Sequence, residues 1–110
     1  MEDTYSLLVE AIHLKKQVLA VYEDLLREMC PHVLGYKDSR LRCLFYQFAG
    51  KSSRRIYPLD HPLAYMNWRC LILEKLEDVT LRDGEWYSIS KLTQAQTCVD
   101  QVIIEVSGWS

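Results

Sequence analysis

Apolar residues near the start of the chain recur at helical spacing. Tyr5, Leu8, Val9 and Ile12 share one face of residues 4–16, which predicts a short amphipathic helix. Asp3 or Thr4 stands where an N-cap is needed, and Lys15 and Lys16 lie at the negative end of the dipole. From Val18 the pattern changes. Val18–Tyr22 and Leu25–Leu34 are β-rich runs separated by Glu23-Asp24, a hairpin signal. Pro31 has no N–H, so the second strand should meet an edge, bulge or bend there. Gly35–Ser39 predicts a turn. Arg40–Gln47 predicts a third strand in which Leu41, Cys43 and Phe45 alternate with Arg42, Leu44 and Tyr46. Ala49–Asn67, with Gly50, Ser52, Ser53, Pro58 and Pro62, has the composition of a long surface excursion.

Trp68–Leu73 reads as a fourth strand. Val79–Arg82 and Glu85–Ile89 about Asp83-Gly84 match a two-residue type I′ hairpin. Towards the end Leu92, Ala95, Val99 and Val102 suit a helix, whereas Val102–Val106 has strand propensity. A helical piece followed by a closing strand is expected. With no repeat, low-complexity stretch or dividing linker, residues 1–110 read as one domain.

Composition narrows the class. With 49% hydrophobic residues, four Gly and three Pro among 110, the chain can pack a core. Its size leaves little stability to spare, which keeps a homodimer or protein partner open. No run approaches the roughly 20 apolar residues of a membrane span, and Glu2 and Asp3 replace the basic start of a leader. A cytoplasmic protein without membrane contact is expected. Cys30, Cys43, Cys70 and Cys98 are scattered without a CxxC pair, so they read as reduced, mostly buried thiols.

The formal net charge of −2 gives no overall attraction for nucleic acid. Its distribution is more telling. Between Ser39 and Leu59 there is no acid, while Arg40, Arg42, Lys51, Arg54 and Arg55 interleave with Phe45, Tyr46, Phe48 and Tyr57.

A helix followed by about five short strands is the layout of a small, strongly bent SH3/Sm-like barrel, and at this point the residues resemble a WYL domain. Arg27, Met29, Pro31 and Leu34 are similar to the family's Arg-x-Val-x-Pro-x-x-Leu strand. An ungapped run then places Leu41-Arg42-Cys43 on the Trp-Tyr-Leu triplet and Tyr46 on the aromatic that follows it. Trp68–Leu76 resembles the family's Arg-x-Phe-Arg-x-Asp-Arg-Ile strand through Arg69, Leu71, Leu73, Glu74, Lys75 and Leu76. The triplet itself is absent, and Ile72 replaces an arginine. The resemblance covers residues 5–84 and leaves 85–110 as a C-terminal extension. It implies a mostly β (α+β) fold, an N-terminal helix before a five-stranded barrel. It also implies a sensor of nucleotides or nucleic-acid-like ligands, of the kind found in bacterial transcription regulators and phage-defence systems. No helix-turn-helix is present, so sequence-specific reading of duplex DNA is not expected.

Arg27, Arg42 and Arg69 fall on three predicted strands. In a small barrel they can converge on one phosphate-sized anion, which the guanidinium fork matches bidentately. Singly, each reads better as a solvated or ion-paired surface residue. With Tyr46 and Lys75 they make the candidate ligand site. Lys51, Arg54, Arg55 and Tyr57 in the excursion are secondary candidates for tracking a nucleic-acid backbone and stacking on a base. Tyr22, Phe45, Phe48 and Trp68 fit core or cleft wall better. Cys30 and His32 share a strand face, but His13 and His61 are not placed to complete a metal site. No phosphate loop, nucleophile elbow or paired-carboxylate motif appears. No cofactor, metal or catalysis is therefore expected. The expected function is a regulatory module that binds a nucleotide or short single strand in a basic, aromatic cleft. The alternative is an accessory protein–protein module docking through a strand edge or its Trp109-bearing tail.

Overall fold

A computed structural model describes residues 3–89 and 96–108. Among the described residues one helix, α1 (Thr4–Leu14), precedes six strands: β1 (Gln17–Tyr22), β2 (Leu25–Lys37), β3 (Arg40–Gly50), β4 (Trp68–Ile72), β5 (Glu77–Arg82) and β6 (Gln101–Glu105). Short 3-10 turns at Ala64–Asn67 and Leu73–Lys75 lead into and out of β4. The helix starts where the Asp3 carboxylate accepts the Ser6 N–H at 2.7 Å, which also draws its pKa down. It stops at Lys15, whose left-handed φ of 54° turns the chain so that the next N–H, of Lys16, also reaches the Ala11 carbonyl at 2.9 Å.

Every strand pairing is antiparallel. The order is β4-β3-β2-β1-β5, with β6 added on β2. The β1–β2 turn places Glu23 and Asp24 at φ 54° and 63°, and the β2–β3 turn places Asp38 and Ser39 at 53° and 65°. Two successive positive values are what two-residue I′ connections demand. The turn expected over 35–39 is thus confined to its last two residues, and β2 runs on to Lys37.

Because β3 pairs along one whole side of β2, β1 and β6 share the other. β1 takes Leu25–Met29 and β6 takes Val33–Tyr36. Pro31 falls in the interval between them, beside a register shift, where neither strand needs its missing N–H.

Three sequence expectations give way here. Among the described residues β4 pairs only with β3 and β5 only with β1, so the sheet stays open and does not close into a five-stranded barrel. The Asp83-Gly84 hairpin does not form; β5 ends at Arg82 and no strand follows at 85–89. Packing diverts that segment. Trp86 joins the core 5.0 Å from the His32 ring, the Glu85 carbonyl accepts from Gln17 Nε2, and the Tyr87 N–H meets Cys30 Sγ. Third, Cys70 and Cys98 form a disulfide with Cα atoms 5.5 Å apart, where four reduced thiols were expected. Cys30 and Cys43 remain free and buried, and burial pushes the Cys30 thiol up to about 11 and raises that of Cys43. The closing strand is present as β6. The helical piece expected ahead of it falls largely on residues 90–95, and the Trp109 tail on 109–110, outside the described residues.

The main core joins Leu8, Ala11 and Ile12 of α1 to Val18, Ala20, Met29, Leu34, Phe45 and Leu71 of the sheet. A smaller cluster, Val33, Leu44, Cys98 and Val99 with Trp68 against it, forms apart from this core. β2 is buried continuously from Met29 to Gly35, which erases the period-2 alternation of a half-exposed strand. No described helix is long and apolar enough to cross a membrane.

Candidate functional site: a basic cleft beside the disulfide

Antiparallel pairing sets Leu44 of β3 opposite Cys70 of β4, and Tyr46 opposite Trp68. Arg42, two residues before Leu44, shares that face. Residues 96–99 are clamped beside it by two ties: Cys98 is bonded to Cys70, and Lys37 Nζ donates to the Thr97 carbonyl at 2.7 Å. Within the segment, the Gln96 side chain exchanges hydrogen bonds with the Val99 backbone at 2.8 and 2.9 Å. A cleft of about 440 Å³ results, lined by Lys37, Arg42, Leu44, Arg54, Tyr65, Trp68, Cys70, Gln96, Thr97 and Cys98. Its size suits a small molecule.

Among the described residues, three cations and no carboxylate line this cleft. Asp38 approaches Arg42 Nη2 only to 3.9 Å, and its side chain is 76% exposed, so it neutralises little. Arg42 Nε is buried and has no hydrogen-bond partner. Arg54 Nη2 is fixed on the Trp68 carbonyl at 3.1 Å, and the Trp68 indole N–H on the Ile89 carbonyl at 3.1 Å. The Trp68 ring meets His32 and Tyr46 edge-on at 4.7 and 5.1 Å. A second cleft of about 480 Å³ lies between the start of α1 and residues 72–76, but its Arg40 is ion-paired with its Glu74 and Asp3 also lines it, so among the described residues no cationic excess remains there. The Arg40 bond holds the Glu74 carboxylate below its usual range.

Of the residues singled out from sequence, Arg42 and Arg54 line the basic cleft. Arg27 and Arg69 converge, but on each other beneath residues 50–55, each 2% exposed. Tyr46 is fully buried; its hydroxyl donates to the Ala64 carbonyl at 2.8 Å and accepts from Asn67 Nδ2 at 3.2 Å, while burial raises its pKa. Lys75 ends the second 3-10 turn, exposed and outside the cleft lining. Lys51, Arg55 and Tyr57 are also outside it; the Arg55 guanidinium sits 4.8 Å above the Tyr57 ring. Cys30 and His32 are engaged locally, Cys30 Sγ by Tyr87 and His32 Nδ1 as donor to the Cys30 carbonyl at 2.8 Å.

Sequence reasoning missed Lys37, Tyr65 and the disulfide wall. Lys37 looked like part of a turn, although β2 runs three residues past Leu34 and puts it beside Arg40 on β3. Tyr65 carried no signal beyond its place in the excursion. The chain matches no family model, no curated protein and no solved structure.

Proposed function

We propose that the protein is a binding module whose cleft holds a small phosphate-bearing ligand, a nucleotide or the end of a short single strand, without catalysing its conversion. The observation that carries this reading is charge. Lys37, Arg42 and Arg54 surround one hollow whose lining, among the described residues, holds no acid, with Tyr65 and Trp68 beside them. An anion about 4 Å from one such cation gains roughly 4 kcal/mol at an effective dielectric of 20, before desolvation. Guanidinium groups keep their charge across physiological pH and match phosphate oxygens in pairs. The aromatic rings supply the apolar surface that a base or sugar needs. The reading rests on this cleft and not on the WYL resemblance, from which the setting in bacterial regulation or phage defence would follow.

The test is calorimetric titration with nucleoside mono- and diphosphates and short RNA and DNA strands at two salt concentrations. Arg42→Ala and Arg54→Ala should each weaken binding about tenfold or more, and Lys75→Ala should not. Affinity should fall as salt rises. If no ligand binds, or both arginine variants bind like the parent, the reading is wrong.

A docking module is favoured by one different observation. Tyr36, Val102 and Ile103, on paired β2 and β6, are 39%, 49% and 42% exposed, a more apolar margin than a solvated edge needs. A partner bound there would respond little to salt.

A further inference from the structure

Arg27 comes from β2 and Arg69 from β4, strands separated by β3, yet their guanidinium groups meet at one oxygen. Arg27 Nη1 and Arg69 Nε each lie 3.2 Å from Ser52 Oγ, and the Arg54 backbone N–H reaches the same atom at 3.2 Å. A neutral hydroxyl offers two lone pairs. Three donors, two of them cationic, are more than it can satisfy; they are the surroundings of an oxyanion.

Charge at this point is also out of balance. Arg27 and Arg69 are buried, and among the described residues the one acid paired with them is Glu23, 3.2 Å from Arg27 Nη2 with its side chain 61% exposed. Arg27 Nε is buried with no hydrogen-bond partner. Burial pushes Arg69 down to about 10, and the neighbouring charges of Arg54 and Arg27 add to that. Burial lowers Arg27 as well, with Arg54 opposing its charge and Glu23 supporting it. Such a cluster stands to gain from two negative charges where Ser52 now offers none.

We infer that Ser52 is a phosphoacceptor, and that a phosphoryl group on its Oγ is held by Arg27, Arg69 and the Arg54 N–H. A phosphate supplies three acceptor oxygens and nearly two negative charges, matched to arginine donors. The donor is a nucleoside triphosphate acting through a serine kinase. Its γ-phosphorus forms the bond to Oγ, the bridge to the β-phosphate breaks, the diphosphate leaves, and the hydroxyl proton passes to the kinase's base. Lys51, Arg54 and Arg55 flank the serine, so the kinase has an acidic substrate groove. Ser52 is half-exposed and lies just past β3, in a stretch without helix or strand, so presenting it breaks no sheet pairing. A free phosphate would have to displace the hydroxyl already at the focus, which favours the covalent source. The inference does not depend on the basic cleft.

The test compares the full chain carrying phosphoserine at 52 with the chain carrying it at exposed Ser53, followed by phosphorus-31 NMR against pH. The phosphate at 52 should lose its second proton at least one pH unit lower, a tenfold change in proton affinity, and that form should melt above the unmodified protein. Arg27→Gln should remove most of the difference. Equal titration at 52 and 53, or a lower melting temperature for the form modified at 52, overturns the inference. Unmodified protein should leave the resonance of inorganic phosphate unmoved; saturable binding of free phosphate, with the residue at 52 titrating normally, would replace the covalent site by one for a diffusible anion. Incubation with magnesium ATP and a kinase selective for arginine-flanked serines should label Ser52; labelling of Ser53 alone or of neither counts against the acceptor role.

Discussion

Reducing the Cys70–Cys98 bond frees two points separated by 28 residues. In the chain-entropy description, a cross-link of this span removes about 12 cal/mol/K from the unfolded ensemble, or roughly 3.6 kcal/mol at 25 °C. For a domain near this length, 1 kcal/mol corresponds to about 4–8 °C, so the oxidised protein should melt roughly 15–30 °C above the reduced one. Native-state contacts add to the difference, since Cys98 and Val99 pack with Val33 and Leu44 only while residues 96–99 stay in place. The assay is thermal unfolding followed by circular dichroism, with and without a phosphine reductant. A Cys70→Ser/Cys98→Ser variant serves as the permanent open form and should match the reduced protein. Its unfolding should also become steeper in urea, because an uncrosslinked unfolded chain exposes more surface. Oxidised and reduced samples melting within about 3 °C of each other would refute the reasoning, given the size of the entropy term. So would peptide mapping that joins either cysteine to Cys30 or Cys43.

Three further outcomes follow from buried groups. Tyr46→Phe leaves the Ala64 carbonyl and the Asn67 amide short of a partner and should cost about 1–3 kcal/mol in urea unfolding, where a loss under about 0.5 would show the hydroxyl to be dispensable. Burial pushes His32 down to about 4, below the roughly 6.5 of an unfolded histidine, so the unfolded chain takes up the proton first as pH falls. Stability from the neutral ring is whole above about pH 6.5 and drains away towards pH 4, by on the order of 3 kcal/mol; an equal pH slope in His32→Phe would rule this source out. Gly35→Ala would bring a Cβ within 2.1 Å of the Gln101 carbonyl oxygen and 2.4 Å of Val99 Cγ1. It should force β6 outward at roughly 1–3 kcal/mol, and unchanged amide protection at 101–105 would contradict the close approach.

Local chemistry was readable wherever neighbours in sequence decide the outcome. The helix, the Glu23-Asp24 turn and the strands on either side of it follow from spacing and turn residues, as does the long excursion after β3. The failures lie where distant segments compete. Asp83-Gly84 is a sound hairpin signal in isolation, but Trp86 packs beside His32 and against the core, and residues 85–89 form no further edge strand. Arg27 and Met29 do share a face, as alternation requires, yet that position is closed over by residues 50–55, so a cation expected at a surface lies under one. The candidate site was legible only in part. Arg42 and Arg54 stood out as cations in an acid-free stretch, whereas Lys37 joins them through β2 outlasting its turn, and the cysteine pair through a fold that no spacing rule encodes.

The divided edge of β2 bears on the order in which the molecule assembles. β1, β2 and β3 are joined by two-residue turns, so their pairing closes short loops and can proceed without waiting for the rest. β6 must return from Val102 to Gly35 across most of the polypeptide, and a long closure carries a larger entropic penalty. Its arrival should therefore be late and its departure early, carrying with it the clamped residues of the cleft. The hollow would then vanish in a partial opening that leaves the three-strand meander intact, so ligand and redox state would govern the lifetime of this one seam more than the survival of the whole.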